Sequence, residues 1–120
     1  MNYNKYSNNE TLVSEIGLGG AQLGLNAASW SNLLEQSSIH MVHQALELGV
    51  NFFDTAELYP VPATAEKYAD TERIIGNWFH KTGKRDKVVL GTKIAGPGDY
   101  TAHIRTNGFS PEAINDAVNK

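Results

Sequence analysis

The sequence predicts an α/β fold, a partial (β/α)8 TIM barrel made of its first three βα units after a leading β-hairpin. Three observations carry this. Short apolar runs begin near residues 16, 50 and 88. Each is apolar throughout instead of alternating, as strands covered on both faces are. Each is followed by a segment with apolar residues at helical spacing.

The elements follow in order. Residues 5–15 read as a hairpin with Ser7-Asn8-Asn9-Glu10 as its turn. Ile16 to Gly20 is a short strand that runs into the glycine-rich loop Gly19–Gly24. After a polar stretch around Ser29 to Ser38, the residues Ile39, Val42, Leu46 and Gly49 fall at helical spacing. Ser38 is the expected N-cap there and Gly49 the stop. Val50–Asp54 is the second strand, followed by a loop containing Pro60 and Pro62. Asp70 is the expected cap of the next helix, with Glu72 in its first turn, where negative charge suits the helix dipole. Ile74, Ile75, Trp78 and Phe79 form the buried stripe of that helix, and Gly83 stands at its C-cap. Val88–Lys93 is the third strand. Ser110-Pro111-Glu112 opens a third helix with an N-cap and a proline at N1, and Ile114, Ala117 and Val118 begin its apolar stripe.

An open doubly wound sheet fits the same alternation. Its dinucleotide fingerprint needs G-x-G-x-x-G between strand and helix. From Gly17 the chain reads Gly17-Leu18-Gly19-Gly20-Ala21-Gln22, with Gln22 where the third glycine belongs. The barrel is therefore preferred. The whole of 1–120 is expected to be part of one barrel domain, an incomplete one, because three units cannot close eight strands.

Composition narrows the function. A hydrophobic content of 41% with 19% charged residues is ordinary for a globular protein. A net charge of −3 gives no electrostatic case for nucleic acid or an anionic membrane as partner. Without cysteine there are no disulfides and no thiolate chemistry. The polar start Met1-Asn2-Tyr3-Asn4-Lys5-Tyr6 lacks a signal-peptide core, and no run is long enough to span a bilayer. A cytoplasmic location is expected. His40 and His43 lie three apart on the first helix with no third ligand nearby, so no metal site is expected.

The chemistry lies in Asp54, Tyr59 and Lys93. Asp54 and Lys93 end the second and third strands, the edge at which parallel α/β folds carry function. Free tyrosine has a pKa near 10 and is a poor acid at neutral pH. An ammonium ~4 Å from the phenol oxygen favours the phenolate by about 4 kcal/mol at an effective dielectric of about 20. Asp54 would hold that ammonium charged and in place. Such a device protonates a carbonyl oxygen while hydride arrives at the carbon, and hydride has to come from a nicotinamide because no side chain supplies it. Singly, Asp54 reads as a turn residue, Tyr59 as a loop aromatic and Lys93 as a solvated strand end. Their shared register is what favours chemistry.

Gly49-Val50-Asn51-Phe52-Phe53-Asp54-Thr55-Ala56-Glu57-Leu58-Tyr59 resembles the signature around the aspartate and tyrosine of the aldo-keto reductases. Val88-Val89-Leu90-Gly91-Thr92-Lys93 resembles the strand that carries their lysine, and Val13-Ser14-Glu15-Ile16-Gly17-Leu18-Gly19-Gly20 their first strand. Glu57-Leu58-Tyr59-Pro60-Val61-Pro62, Gly76-Asn77-Trp78 and Lys93-Ile94-Ala95-Gly96-Pro97 look like the bacterial Tas-like branch. The resemblance implies an NADPH-dependent reductase acting on a small carbonyl substrate. Tyr59 is then the proton donor, Lys93 the residue that makes the phenol more acidic, and Asp54 the partner of the lysine. Gly20, Ala21 and Asp54 take positions that line the nicotinamide end of the cofactor, although the family usually has threonine at the position of Gly20. The fourth catalytic group of the family, a histidine after the fourth strand, has no counterpart here. His103, in the loop after the third strand, is the one histidine on the expected face. The rest of a barrel is expected to be needed for a complete site. A regulatory protein that binds cofactor on the same scaffold without turnover is the alternative.

Overall fold

The computed structural model describes residues 1–24 and 35–120. Strand β1 (Tyr3–Lys5) pairs antiparallel with β2 (Leu12–Ser14), so the hairpin begins two residues before its expected start. Its turn is local chemistry. Ser7 adopts a left-handed φ of 56°, and the Asn9 side chain accepts the Thr11 N–H at 2.8 Å, a loop closure typical of asparagine.

Strands β3 (Gly17–Gly19), β4 (Phe52–Asp54) and β5 (Val89–Gly91) form one parallel sheet in the order β3-β4-β5. Gly17, Phe52 and Val89 share one row, and Gly19, Asp54 and Gly91 share the row at the carboxyl end. The strands are shorter than the apolar runs, and Lys93 lies two residues past β5 instead of inside it. Pairing nonetheless continues through the backbone beyond the strand ends. The Thr55 N–H donates to Gly91 O at 2.9 Å and the Glu57 N–H to Lys93 O at 3.0 Å.

Side chains alternate across the sheet. Phe53 faces the helices and is fully buried, its ring 6.1 Å from that of Trp78. Leu18 and Leu90 join it from the neighbouring strands, with Leu23, Val42, Val50, Ile75 and Val88 completing the core. Phe52 and Asp54 therefore share the opposite face. Asn51 fastens the hairpin to the start of β4. Its side chain accepts the Ser14 N–H at 2.7 Å and donates to Leu12 O at 2.8 Å.

Helix α1 (Glu35–Glu47) is already helical three residues before Ser38, which lies buried inside it and is not the cap. The preceding polar stretch falls mostly outside the described residues. His43 is half-buried, edge-on to Trp78. Gly49, with φ 95°, ends the helix as expected, its N–H on Leu46 O at 2.9 Å.

Helix α2 (Asp70–Thr82) buries Ile74, Ile75 and Trp78, and it stops at Gly83, whose φ is 67°. The expected cap does not form. Asp70 is the first helical residue, and the cap position is Ala69 in the left-handed region with no side-chain bond. The cause is tertiary: the Ala69 N–H is drawn onto Glu57 O at 2.7 Å, which turns the chain before the helix begins. The Asp70 carboxylate instead meets Arg73 at 3.3 Å and Lys67 at 3.6 Å.

Helix α3 (Pro111–Val118) starts where the sequence places it, with Ser110 Oγ accepting the Ala113 N–H at 3.1 Å. Its apolar stripe differs. Ala113 is buried and Ala117 half-buried, whereas Ile114 and Val118 are exposed. Ser110→Ala is expected to cost about 1 kcal/mol, the usual loss for a cap. Urea unfolding checks this, and an unchanged midpoint would show that the cap contributes nothing. Among the described residues, no helix is long and apolar enough to cross a membrane.

Candidate active site

The carboxyl edge of the sheet gathers the three groups. Asp54 ends β4, between Gly19 and Gly91 in register. Lys93 reaches it from beyond β5, and its Nζ donates to both Asp54 oxygens at 2.7 and 2.8 Å. Tyr59 enters from the loop after β4. Its N–H closes a turn on Ala56 O at 3.1 Å, and its ring lies under the Lys93 ammonium, Nζ 5.0 Å from the ring centroid. The ammonium thus sits between a carboxylate and the face of a phenol ring, a favourable place for a cation.

Burial by itself would weaken the proton affinity of Lys93. The hydrogen bond and charge of Asp54, aided by Tyr59, outweigh it and hold Lys93 above the ordinary lysine range. Lys93 and Asp54 side chains are nonetheless 49% and 45% exposed. The pair is therefore a rim device open to incoming molecules, not a buried strut, and its worth to stability is small.

Gly20 is where the backbone comes closest. Its N–H donates to Asp54 O at 2.8 Å. A Cβ there would lie 2.8 Å from that same oxygen and 3.0 Å from Thr71 Cγ2. A side chain at this position would force the backbone of β4 or Thr71 to shift, so the close approach favours glycine. Ala21 follows at the same edge and accepts the Val61 N–H at 2.9 Å, so the loop bearing Tyr59 is laced to the loop after β3. At Gly19, beside Asp54, a Cβ would meet no atom within 4 Å, and the surface there is open.

His103 meets the ring of Tyr68 edge-on, with centroids 5.9 Å apart, and Tyr68 in turn accepts from Lys120 at 2.9 Å. It belongs to that outer cluster.

Two residues escaped the sequence reading. Glu57, only 4% exposed, is the one buried carboxylate among the described residues. Arg105 reaches it from the loop before α3 with both terminal nitrogens, Nη1 to Oε2 at 2.6 Å and Nη2 to Oε1. Burial works against ionisation of Glu57, but Arg105, the Ala95 N–H and Lys120 prevail and hold its carboxyl below the usual range. A glutamate between Ala56 and Leu58 in an otherwise apolar stretch was the available signal, since such a charge is rarely buried without a partner.

An aspartate, a lysine and a tyrosine are thus collected at the carboxyl edge of a parallel sheet. The Aldo/keto reductase family matches this chain over residues 15–120. The chain belongs to that family. It is 35% identical to Protein tas of Escherichia coli over 123 residues, covering 99% of this chain and 32% of that protein. It is 33% identical to the aldo-keto reductase YhdN of Bacillus subtilis over 79% of this chain and 26% of that protein. Among solved structures, the holo form of the aldo-keto reductase AKR11C1 from Bacillus halodurans superimposes with a TM-score of 0.68 at 25% identity, covering 99% of this chain and 34% of that one. The chain thus spans about a quarter to a third of the length of these relatives.

Proposed function

We propose that this chain supplies the acid–base part of an NADPH-dependent oxidoreductase that reduces aldehydes or ketones to alcohols. In this reading residues 1–120 are the first three βα units of a (β/α)8 barrel in the cytoplasm. The remaining units complete the site and hold most of the cofactor and the carbonyl substrate. The observation that carries the proposal is the Lys93 ammonium, bonded to both oxygens of Asp54 and lying over the ring of Tyr59.

The residues fit the roles. Tyr59 hydroxyl gives its proton to the carbonyl oxygen. Lys93 stabilises the phenolate left behind, and Asp54 keeps Lys93 oriented and charged. A cation beside the phenol favours its ionised form and so eases such a proton transfer. NADPH, when bound, supplies the hydride. Gly20, Ala21 and Asp54 would line its nicotinamide, and the open surface over Gly19 beside Asp54 suits a flat ring.

The test is NADPH oxidation with simple aldehydes and ketones by residues 1–120 joined to the remaining strands of a relative such as Protein tas. Carbonyl-dependent oxidation that disappears in Tyr59→Phe is the expected result. Saturable NADPH binding without turnover of any carbonyl would point to the regulatory, cofactor-holding alternative.

A further inference from the structure

We infer that the buried Glu57–Arg105 pair is a positioning pair that sets Tyr59 against Lys93. This rests on the reading of those two residues as the proton-transfer site. Glu57 stands two residues before Tyr59, and both its N–H and its Oε2 bond the segment that carries Lys93. Its N–H donates to Lys93 O at 3.0 Å. Its Oε2 accepts the Ala95 N–H at 3.0 Å. Arg105 Nη1 donates to the same Oε2 at 2.6 Å and to Ala95 O at 3.3 Å, so the pair takes both peptide groups of Ala95.

Arg105 is itself held. Its N–H donates to Thr101 O at 3.3 Å, and the buried Thr101 hydroxyl donates to Gly96 O at 2.6 Å. The loop after β5 is therefore folded back as a brace. A further tie is Glu57 O, which accepts the Ala69 N–H at 2.7 Å and fixes the brace to the start of α2. Side-chain exposures of 9% for Arg105 and 6% for Glu57 leave no free oxygen for a substrate. Glu57 thus acts through Tyr59 and Lys93 and not on substrate. The planar fork of arginine is what allows one side chain to serve the carboxylate and the Ala95 carbonyl together, and a lysine cannot reproduce it.

The experiment is carbon-13 labelling of lysine Cε, with Lys93 identified by its loss in Lys93→Arg. A group over an aromatic face resonates upfield, and Lys93 lies over the ring of Tyr59. Tyr59→Leu gives the reference without the ring. In Glu57→Gln the Lys93 signal is expected to move more than halfway to that reference, while the Trp78 indole signal of the folded core stays in place. A purely stabilising role would lower the melting temperature and leave the Lys93 signal unmoved, which would overturn the inference. Should Glu57→Gln not fold, Arg105→Lys provides the second variant, because it keeps the charge and loses only the fork. It is expected to move the Lys93 signal part of the way, and no movement would again overturn the inference. Neither readout depends on turnover. Loss of the positioning role and loss of the catalytic reading, which fails if Tyr59→Phe stays active, are therefore separate results.

Discussion

Tyr59→Phe is expected to lower carbonyl reduction by about 10²- to 10⁴-fold, the usual contribution of a positioned general acid. The ring remains, so the seat under the Lys93 ammonium and the packing of the loop survive, and only the transferable proton is lost. NADPH affinity should stay within about twofold of the parent, since a group that acts only in the transition state contributes to turnover and not to ground-state binding. Lys93→Met should also reduce turnover. The phenolate left by proton transfer then has no cation beside it, and Asp54 loses the group that it binds with both oxygens. Lys93→Arg would restore the charge but not a point charge over the ring, and should recover only part of the rate. Steady-state rates and cofactor titrations on residues 1–120 joined to the remaining strands of a relative decide the matter. A Tyr59→Phe protein retaining most of its reductase rate would remove the proton-donor role.

The local parts of the fold were legible because their causes are local. Ser110 followed by Pro111 starts α3 wherever the chain is placed, and Gly83 ends α2 because a left-handed residue is needed there. The three apolar runs gave the parallel sheet, but its register sets Gly91 opposite Asp54, and Lys93 reaches the carboxylate from two residues beyond β5. What misled was tertiary. Asp70 looks like a cap, but the backbone bond between Ala69 and Glu57 decides where α2 begins. Ile114 and Val118 form an apolar stripe on paper, yet α3 covers only Ala113 fully and leaves both exposed. The Glu57–Arg105 contact joins residues 48 apart, and no periodicity reports such a pairing. The meeting of Asp54, Tyr59 and Lys93 was legible because residue type and strand position bring them to one edge of the sheet. Their brace was not, because its members look like ordinary loop charges until they are seen buried.

Glu57→Ala is expected to cost about 3–5 kcal/mol, because it strands the Arg105 guanidinium in a site with little access to water. That is a large part of the roughly 5–15 kcal/mol that holds a typical domain together. Removing both charges should hurt less. A Glu57→Leu, Arg105→Met double variant replaces the pair with apolar groups of similar size, and such replacements are often close to neutral. The acid side gives an independent check. The folded-state pKa of Glu57 is lowered from 4.5 by Arg105, the Ala95 N–H and Lys120 against the opposing effect of burial. A carboxylate depressed in the native state adds stability that is fully present above its unfolded value and lost as pH falls through the folded one. The gap in melting temperature between the parent and Glu57→Ala should therefore be widest near neutrality and narrow steadily below pH 4.5. As Glu57 is protonated, Arg105 is left as exposed to desolvation in the parent as in the variant, and the two proteins converge. A gap that stayed constant from neutrality into strong acid would mean that the buried pair is not ionised, and the electrostatic account of this brace would have to be abandoned.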